Sequence, residues 1–145
     1  MASATFDSRP GPVIDEDSAS YWAGLARRVI PIQRCLNCGE VRCPPLPACA
    51  NCGSTDFAED QSCGRGVLYS WIGVHRAVGT IRPEEVPVTI ATVELEEGPR
   101  LVARLEDGPR RPVIGSAVEA VFHDHPNWTE LSFRPVGPQQ AGDAG

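Results

Sequence analysis

Cys35-Leu36-Asn37-Cys38-Gly39 and Cys49-Ala50-Asn51-Cys52-Gly53 decide how this chain is read. Each stretch places two thiolates where they can grip one face of a single metal ion. The Gly that follows the second Cys supplies a turn that a Cβ would oppose, and it lets backbone N–H groups point at the sulfurs. Two such knuckles with a short loop between them make a closed, four-sulfur tetrahedral site with no open position for a substrate. That is the pattern of a structural zinc. A single Cys-x-x-Cys is also consistent with a redox disulfide, but two of them in tandem are not. Zn2+ held by Cys35, Cys38, Cys49 and Cys52 is therefore expected, with iron on the same four thiolates as the competing metal.

The totals narrow what such a site can serve. The chain has 145 residues and a net charge of -6. Its length suits one ordinary domain or two very small ones. A ribbon built on the two knuckles is too short to form its own apolar core, so a metal staple is expected there. All 13 basic residues are Arg. Without Lys there is no Schiff-base chemistry and no P-loop lysine. An acidic chain is also poorly suited to general nucleic-acid binding, which relies on neutralising phosphates. Paired Cys spacing and the lack of an apolar signal stretch point to a reducing, cytoplasmic setting, and no apolar run has the length of a membrane span.

Reading outward from the knuckles gives a mainly β chain with five regions. Residues 1–16, with Pro10, Gly11 and Pro12, read as a flexible leader. Residues 17–30 hold a short helix, capped by Ser18 or Ser20, with Tyr21, Trp22, Leu25 and Ile30 on one face. Residues 31–60 form the zinc ribbon, its inter-knuckle loop stiffened by Pro44, Pro45 and Pro47. Cys43 and Cys63 are left over and read as small buried hydrophobes rather than reactive thiols. Residues 61–134 carry five strand patterns: 66–76, 88–95, 100–105, 118–122 and 129–133. Uneven strands with long connections fit a five-stranded Greek-key barrel of the OB type. Residues 135–145 read as a disordered tail.

Catalytic constellations are hard to find. There is no Gly-x-Ser-x-Gly elbow, no His-Glu-x-x-His and no Gly-x-Gly-x-x-Gly. His123 and His125 flank Asp124, but with no third ligand in view a solvated turn explains them. His75 and Arg76, late in the first barrel strand, would face a partner's site or simply solvent. Arg65, Arg76, Arg82, Arg100 and Arg104 would pair with carboxylates of the same surface, and contact of one of them with CoA phosphates stays open. The loop 77–87 mixes apolar and charged residues, and would meet another protein or fold back on the barrel. Tyr21 and Trp22, on a short helix, are candidate partner contacts, since aromatics anchor interfaces. Two other function classes remain. Tyr69 and Trp71 would stack the bases of single-stranded nucleic acid, and an iron-loaded ribbon would transfer electrons.

The order of motifs is itself informative. An aromatic-Trp helix precedes Gln-Arg-Cys-x-x-Cys-Gly, a Pro-Pro loop and Cys-x-x-Cys-Gly-Ser. Gly-Arg-Gly-x-x-Tyr-Ser, Val-His-Arg and Glu-Gly-Pro-Arg-Leu-Val-Ala-Arg-Leu follow. Over residues 17–134 this resembles the acyl-CoA-associated family that joins a rubredoxin-like zinc ribbon to an OB-fold, the domain-of-unknown-function thirty-five family. The chain departs from that pattern at Leu46, where Pro-Pro-Arg is usual, and at Ala50, where Pro is common. Neither position is a metal ligand. The resemblance implies a helper rather than a catalyst, forming a hetero-oligomer with a thiolase-like acyl-CoA lyase or aldolase. In that role a partner cleaves a CoA thioester by retro-aldol chemistry, as in steroid side-chain degradation. Support of a thiolase, acyltransferase or acyl-CoA hydratase is the alternative it leaves.

Overall fold

The structure, a computed structural model, describes residues 9–137. The first eight residues of the expected leader and residues 138–145 of the expected tail lie outside the described residues. One helix, α1 (Ala19–Ala26), leads into β1 (Ile30–Cys35), β2 (Val41–Arg42) and β3 (Phe57–Ser62). The chain then runs through β4 (Arg65–Val74), a 3-10 turn (Pro83–Glu85), β5 (Val88–Leu95), β6 (Arg100–Leu105), β7 (Ala117–His125) and β8 (Trp128–Pro135).

Helix α1 is short because both its ends are fixed locally. Ser18 takes the N-cap position, but its hydroxyl does not cap. It turns back to Asp15, accepting from the Asp15 N–H (3.1 Å) and donating to the Asp15 carboxylate (2.8 Å). At the other end Val29 N–H bonds Gly24 C=O and Arg28 N–H bonds Leu25 C=O, both at 2.9 Å. That is a Schellman ending, with Arg28 in the left-handed region at φ 67° where Gly is usual. Gly24 is required for a different reason: a Cβ there would lie 2.2 Å from Pro31 Cγ. The helix therefore rests directly on the first ribbon strand.

The ribbon sheet has the order β2-β1-β3, both pairings antiparallel. The barrel closes in the order β4-β5-β6-β8-β7, with β6 and β8 parallel and every other pairing antiparallel. This is the Greek-key closure of an OB barrel. A bulge at Tyr69 lets β4 coil from one barrel neighbour to the other. One apolar core joins the parts: Tyr21 and Leu25 of the helix, Ile30 and Ile32 of the ribbon, and Leu68, Val93, Leu95, Val118 and Phe133 of the barrel.

The leader is held down where it is described. Trp128 Nε1–H donates to the Arg9 carbonyl at 3.1 Å, and the Arg9 guanidinium bonds Glu85 and lies 3.4 Å from Glu130. Composition gave no sign of this anchoring, because the partners stand more than seventy positions away. Among the described residues no helix is long and apolar enough to cross a membrane.

Candidate metal centre

The two knuckles fold as near-copies. Cys35 N–H bonds Glu40 C=O and Cys49 N–H bonds Ser54 C=O, both at 2.8 Å. Gly39 N–H returns to Cys35 C=O (3.0 Å) and Gly53 N–H to Cys49 C=O (2.8 Å). Both glycines sit at φ +81° with nothing near a hypothetical Cβ, so backbone conformation rather than crowding demands them. Further N–H groups point at sulfur: Cys38 N–H at Cys35 Sγ (3.5 Å), Asn51 N–H at Cys49 Sγ (3.4 Å) and Asn37 Nδ2–H at Cys52 Sγ (3.3 Å).

The four sulfurs of Cys35, Cys38, Cys49 and Cys52 lie within 4.8 Å of one another. Cys35–Cys52 and Cys38–Cys49 are each 3.6 Å apart. A tetrahedron of Zn–S bonds about 2.3 Å long places its sulfurs about 3.8 Å apart, so the quartet fits the ion. The surroundings favour thiolate at Cys35 and Cys38, while burial and the neighbouring Cys38 and Cys52 sulfurs raise Cys49. The Cys38 N–H beside its sulfur is the first cause that lowers Cys35 to about 6, and the Asn51 side chain is the first that lowers Cys38. Four thiolates fill the coordination sphere, so an ion there would stabilise structure and would not activate a water molecule.

The remaining candidates do not gather at one place. Tyr21 is only 9% exposed, so its ring belongs to this chain's own core. It stands edge-on to Trp22 at 5.1 Å, and Trp22 is edge-on to Trp128 at 6.0 Å. Trp22 lines a groove between α1 and the β7–β8 turn. His75 lines a separate cleft of about 750 Å³ at the barrel mouth, with Trp71, Arg104, Arg110 and Arg111. Arg76, next to it in the chain, is exposed.

Of the five arginines weighed for phosphate, four are engaged within the chain. Arg65 reaches Glu96, Arg82 and Arg104 reach Glu85, and Arg100 reaches Glu94. The nucleic-acid reading needs two neighbouring stacking faces, which the barrel does not build. Tyr69 faces outward under Arg100, whose guanidinium lies 3.7 Å from the ring centre, while the bulge brings Trp71 round to pack against the core. His123 bonds Glu106 (2.6 Å) and His125 bonds Glu130 (2.9 Å), so each histidine of the His-Asp-His stretch has its own carboxylate. The stretch ends strand β7 rather than forming a solvated turn, and His125, stacked on Trp128, is largely buried. Cys43 is buried, and burial pushes its thiol up to about 12. Cys63 corrects the expectation of a second buried thiol: it is exposed beside Glu96 and Glu97.

Sequence reading missed Glu85. Its side chain is 13% exposed and collects the Arg82 N–H (2.8 Å), Arg82 Nε (3.1 Å), Arg104 Nη1 (2.8 Å) and Arg9. The loop after β4 is therefore folded back on the barrel by charge, while its Val78 stays exposed. The Pro before Glu84 and Glu85 was the one local hint, since Pro-Glu-Glu starts a helical turn.

Two family models match the chain in tandem: the ChsH2 rubredoxin-like zinc ribbon domain over residues 22–58 and the ChsH2 C-terminal OB-fold domain over residues 59–123. A solved structure described as an "Ltp2-ChsH2(DUF35) aldolase" contains a chain 36% identical to this one. The match covers 88% of this chain and all of that one, with a TM-score of 0.76. The chain belongs to the ChsH2 (DUF35) family. Its zinc-ribbon quartet and its closed five-stranded barrel are that family's two parts. A curated ChsH2-family relative from Mycobacterium tuberculosis, the "3-oxo-4,17-pregnadiene-20-carboxyl-CoA hydratase alpha subunit", is 35% identical over 89% of this chain. A "DUF35 domain-containing scaffold protein" from Methanocaldococcus jannaschii is 40% identical over 61% of it. The chain spans 41% of the length of the first relative and 64% of the second. The names of these relatives, an aldolase chain, a hydratase alpha subunit and a scaffold protein, agree on a subunit or scaffold role and differ on the enzyme.

Proposed function

We propose that this chain is a non-catalytic, zinc-stabilised subunit that docks on a thiolase-like acyl-CoA lyase or aldolase in the cytoplasm and supports its cleavage of a CoA thioester. One observation carries the reading: the end-to-end likeness, at 36% identity, to the ChsH2 (DUF35) chain of an aldolase. The chain's own chemistry agrees. Its metal quartet is closed, and its histidines at residues 123 and 125 are tied to carboxylates. A steroid-type side chain is the substrate class we assign to the partner. Trp22, His75 and Arg76 are the proposed partner-facing residues, with Tyr21 as the wall behind Trp22. Contact of CoA with this chain falls to the barrel-mouth cleft, where exposed Arg110 and Arg111 stand beside His75.

The hydratase alpha-subunit name of the Mycobacterium tuberculosis relative favours a second reading, in which the partner is an acyl-CoA hydratase. Co-purification decides. Tagged full-length chain expressed in its native host should bring down a thiolase-like enzyme and about one equivalent of zinc. The isolated chain should leave acyl-CoA thioesters untouched, and the recovered complex should cleave a β-hydroxyacyl-CoA carrying a bulky side chain. Recovery of a hydratase establishes the second reading, and turnover by the isolated chain overturns both.

A further inference from the structure

Helix α1, Ala-Ser-Tyr-Trp-Ala-Gly-Leu-Ala, contains no charged residue, although it lies on the surface of a chain that is 22% charged. Its inner face, Tyr21, Gly24 and Leu25, is buried in the core. Apart from the exposed Ser20, its outer face is apolar as well: Ala19, Trp22, Ala23 and Ala26 follow helical spacing and line a groove of about 470 Å³ against Trp128. Ile14, 47% exposed, closes one side, and Val13 beside it is 91% exposed. A helix that is apolar all round is ordinarily covered on both faces. Here one face is covered by the chain and the other is open.

Charge indicates what covers it. The segment joining Ile14 to Ala19, two residues that line the groove, carries Asp15, Glu16 and Asp17, all exposed. None of the three has an ion pair with a described residue; Asp15 bonds only Ser18. At the other end of the helix Arg28 is tied to Asp124, which leaves Arg27 as the one arginine there without a carboxylate. The border is therefore net acidic. A second copy of this chain suits it poorly, since it would bring the same concave surface, the same acidic border and a further net charge of -6. A convex apolar segment of another protein, carrying a cation, suits it well.

We propose that the groove between α1 and the β7–β8 turn seats an apolar segment of the partner acyl-CoA enzyme, with a Lys or Arg of that segment meeting Asp15, Glu16 and Asp17. This rests on the reading of the chain as a partner subunit, and it names the surface through which that role is performed.

The test uses the full chain and the acyl-CoA enzyme recovered with it. Ala23→Glu places a charge in the open groove without touching the core, and zinc content and thermal melting check that the variant folds. Binding of the recovered enzyme should weaken at least 30-fold. Glu16→Lys with Asp17→Lys should weaken it about 10-fold and flatten its salt dependence. Val102→Asp, on an outward barrel position that is 68% exposed, should leave it unchanged. Unaltered binding by folded Ala23→Glu, or loss in Val102→Asp instead, overturns the groove and leaves the subunit reading standing. A wild-type chain that binds no acyl-CoA enzyme removes both. A wild-type dimer that Ala23→Glu converts to monomer reassigns the groove to self-association and overturns the proposal.

Discussion

The ribbon and the barrel are both antiparallel sheet in the main, yet they are held together by different means. Strand β3 of the ribbon exposes five of its six residues, and the ribbon gives the shared core only Ile30, Ile32 and Cys43. The barrel gives it Leu68, Ala91, Val93, Leu95, Leu101, Leu105, Val118 and Phe133. A closed sheet of five strands has an inside, and alternation along each strand fills it. A three-stranded sheet ending in a two-residue strand has none, so four sulfurs supply what apolar burial cannot. Local chemistry therefore stabilises the ribbon and long-range packing stabilises the barrel.

The largest expected effect separates the two. Structural zinc contributes on the order of 10 kcal/mol to isolated ribbons. Cys49→Ala, or chelation of the metal, should abolish protection of amides over residues 30–62 while those of β5 and β6 stay protected. Hydrogen exchange with metal analysis measures this. Equal loss of protection in the barrel would show that the shared core makes one cooperative unit and that the contrast is false. Phe133→Ala is the reciprocal change. Phe133 is fully buried, and its truncation should lower unfolding free energy by about 3–5 kcal/mol. Denaturant titration should show the loss, and zinc stoichiometry should not move.

The same contrast explains what could be read in the sequence. The knuckles were legible because ligand, glycine and N–H donor lie within five residues of one another, so spacing alone carries the geometry. Strands 88–95 and 100–105 were legible to the residue, since each is a β-rich run bounded by turn residues. Glu85 was not. Its importance comes from Arg9 and Arg104, brought to it by barrel closure, and no local pattern encodes a pairing over 76 positions. Tyr21 was placed on the right helix, but only packing could show that it faces inward and Trp22 outward. The bulge at Tyr69 likewise separated two rings that strict alternation would have put on one face.

Glu85 offers a middle-sized test on the barrel side. Its carboxylate pKa is held far below the usual range, first by Arg9 and then by Arg82 and Arg104 against the cost of burial. A depressed folded pKa means that the stabilisation is complete above the unfolded value of about 4.3 and is lost as pH falls through the folded one. Glu85→Gln should therefore cost on the order of 2 kcal/mol at pH 7, given three arginine partners and little exposure. The gap from wild type should narrow steadily below pH 4. A gap independent of pH would mean that Glu85 holds the loop after β4 through packing and not through charge.

The smallest effect lies at the seam between the regions. Arg28 ends α1 in the left-handed conformation and forks onto Asp124 of β7 at 2.8 and 2.6 Å. Both side chains are about half exposed, so solvent and salt screen the pair. The backbone term is not screened: a non-glycine residue in that conformation costs roughly 1 kcal/mol, and Gly removes the cost. Arg28→Ala and Arg28→Gly lose the same ion pair and differ only in that backbone term. The Gly variant should be the more stable of the two by about 1 kcal/mol, and neither should shift zinc content. If the two melt together, the helix ending stores no strain and Arg28 is there for Asp124. If the Gly variant also exceeds wild type, the screened pair contributes less than the strain it imposes, and ribbon and barrel are joined by their shared core rather than by charge.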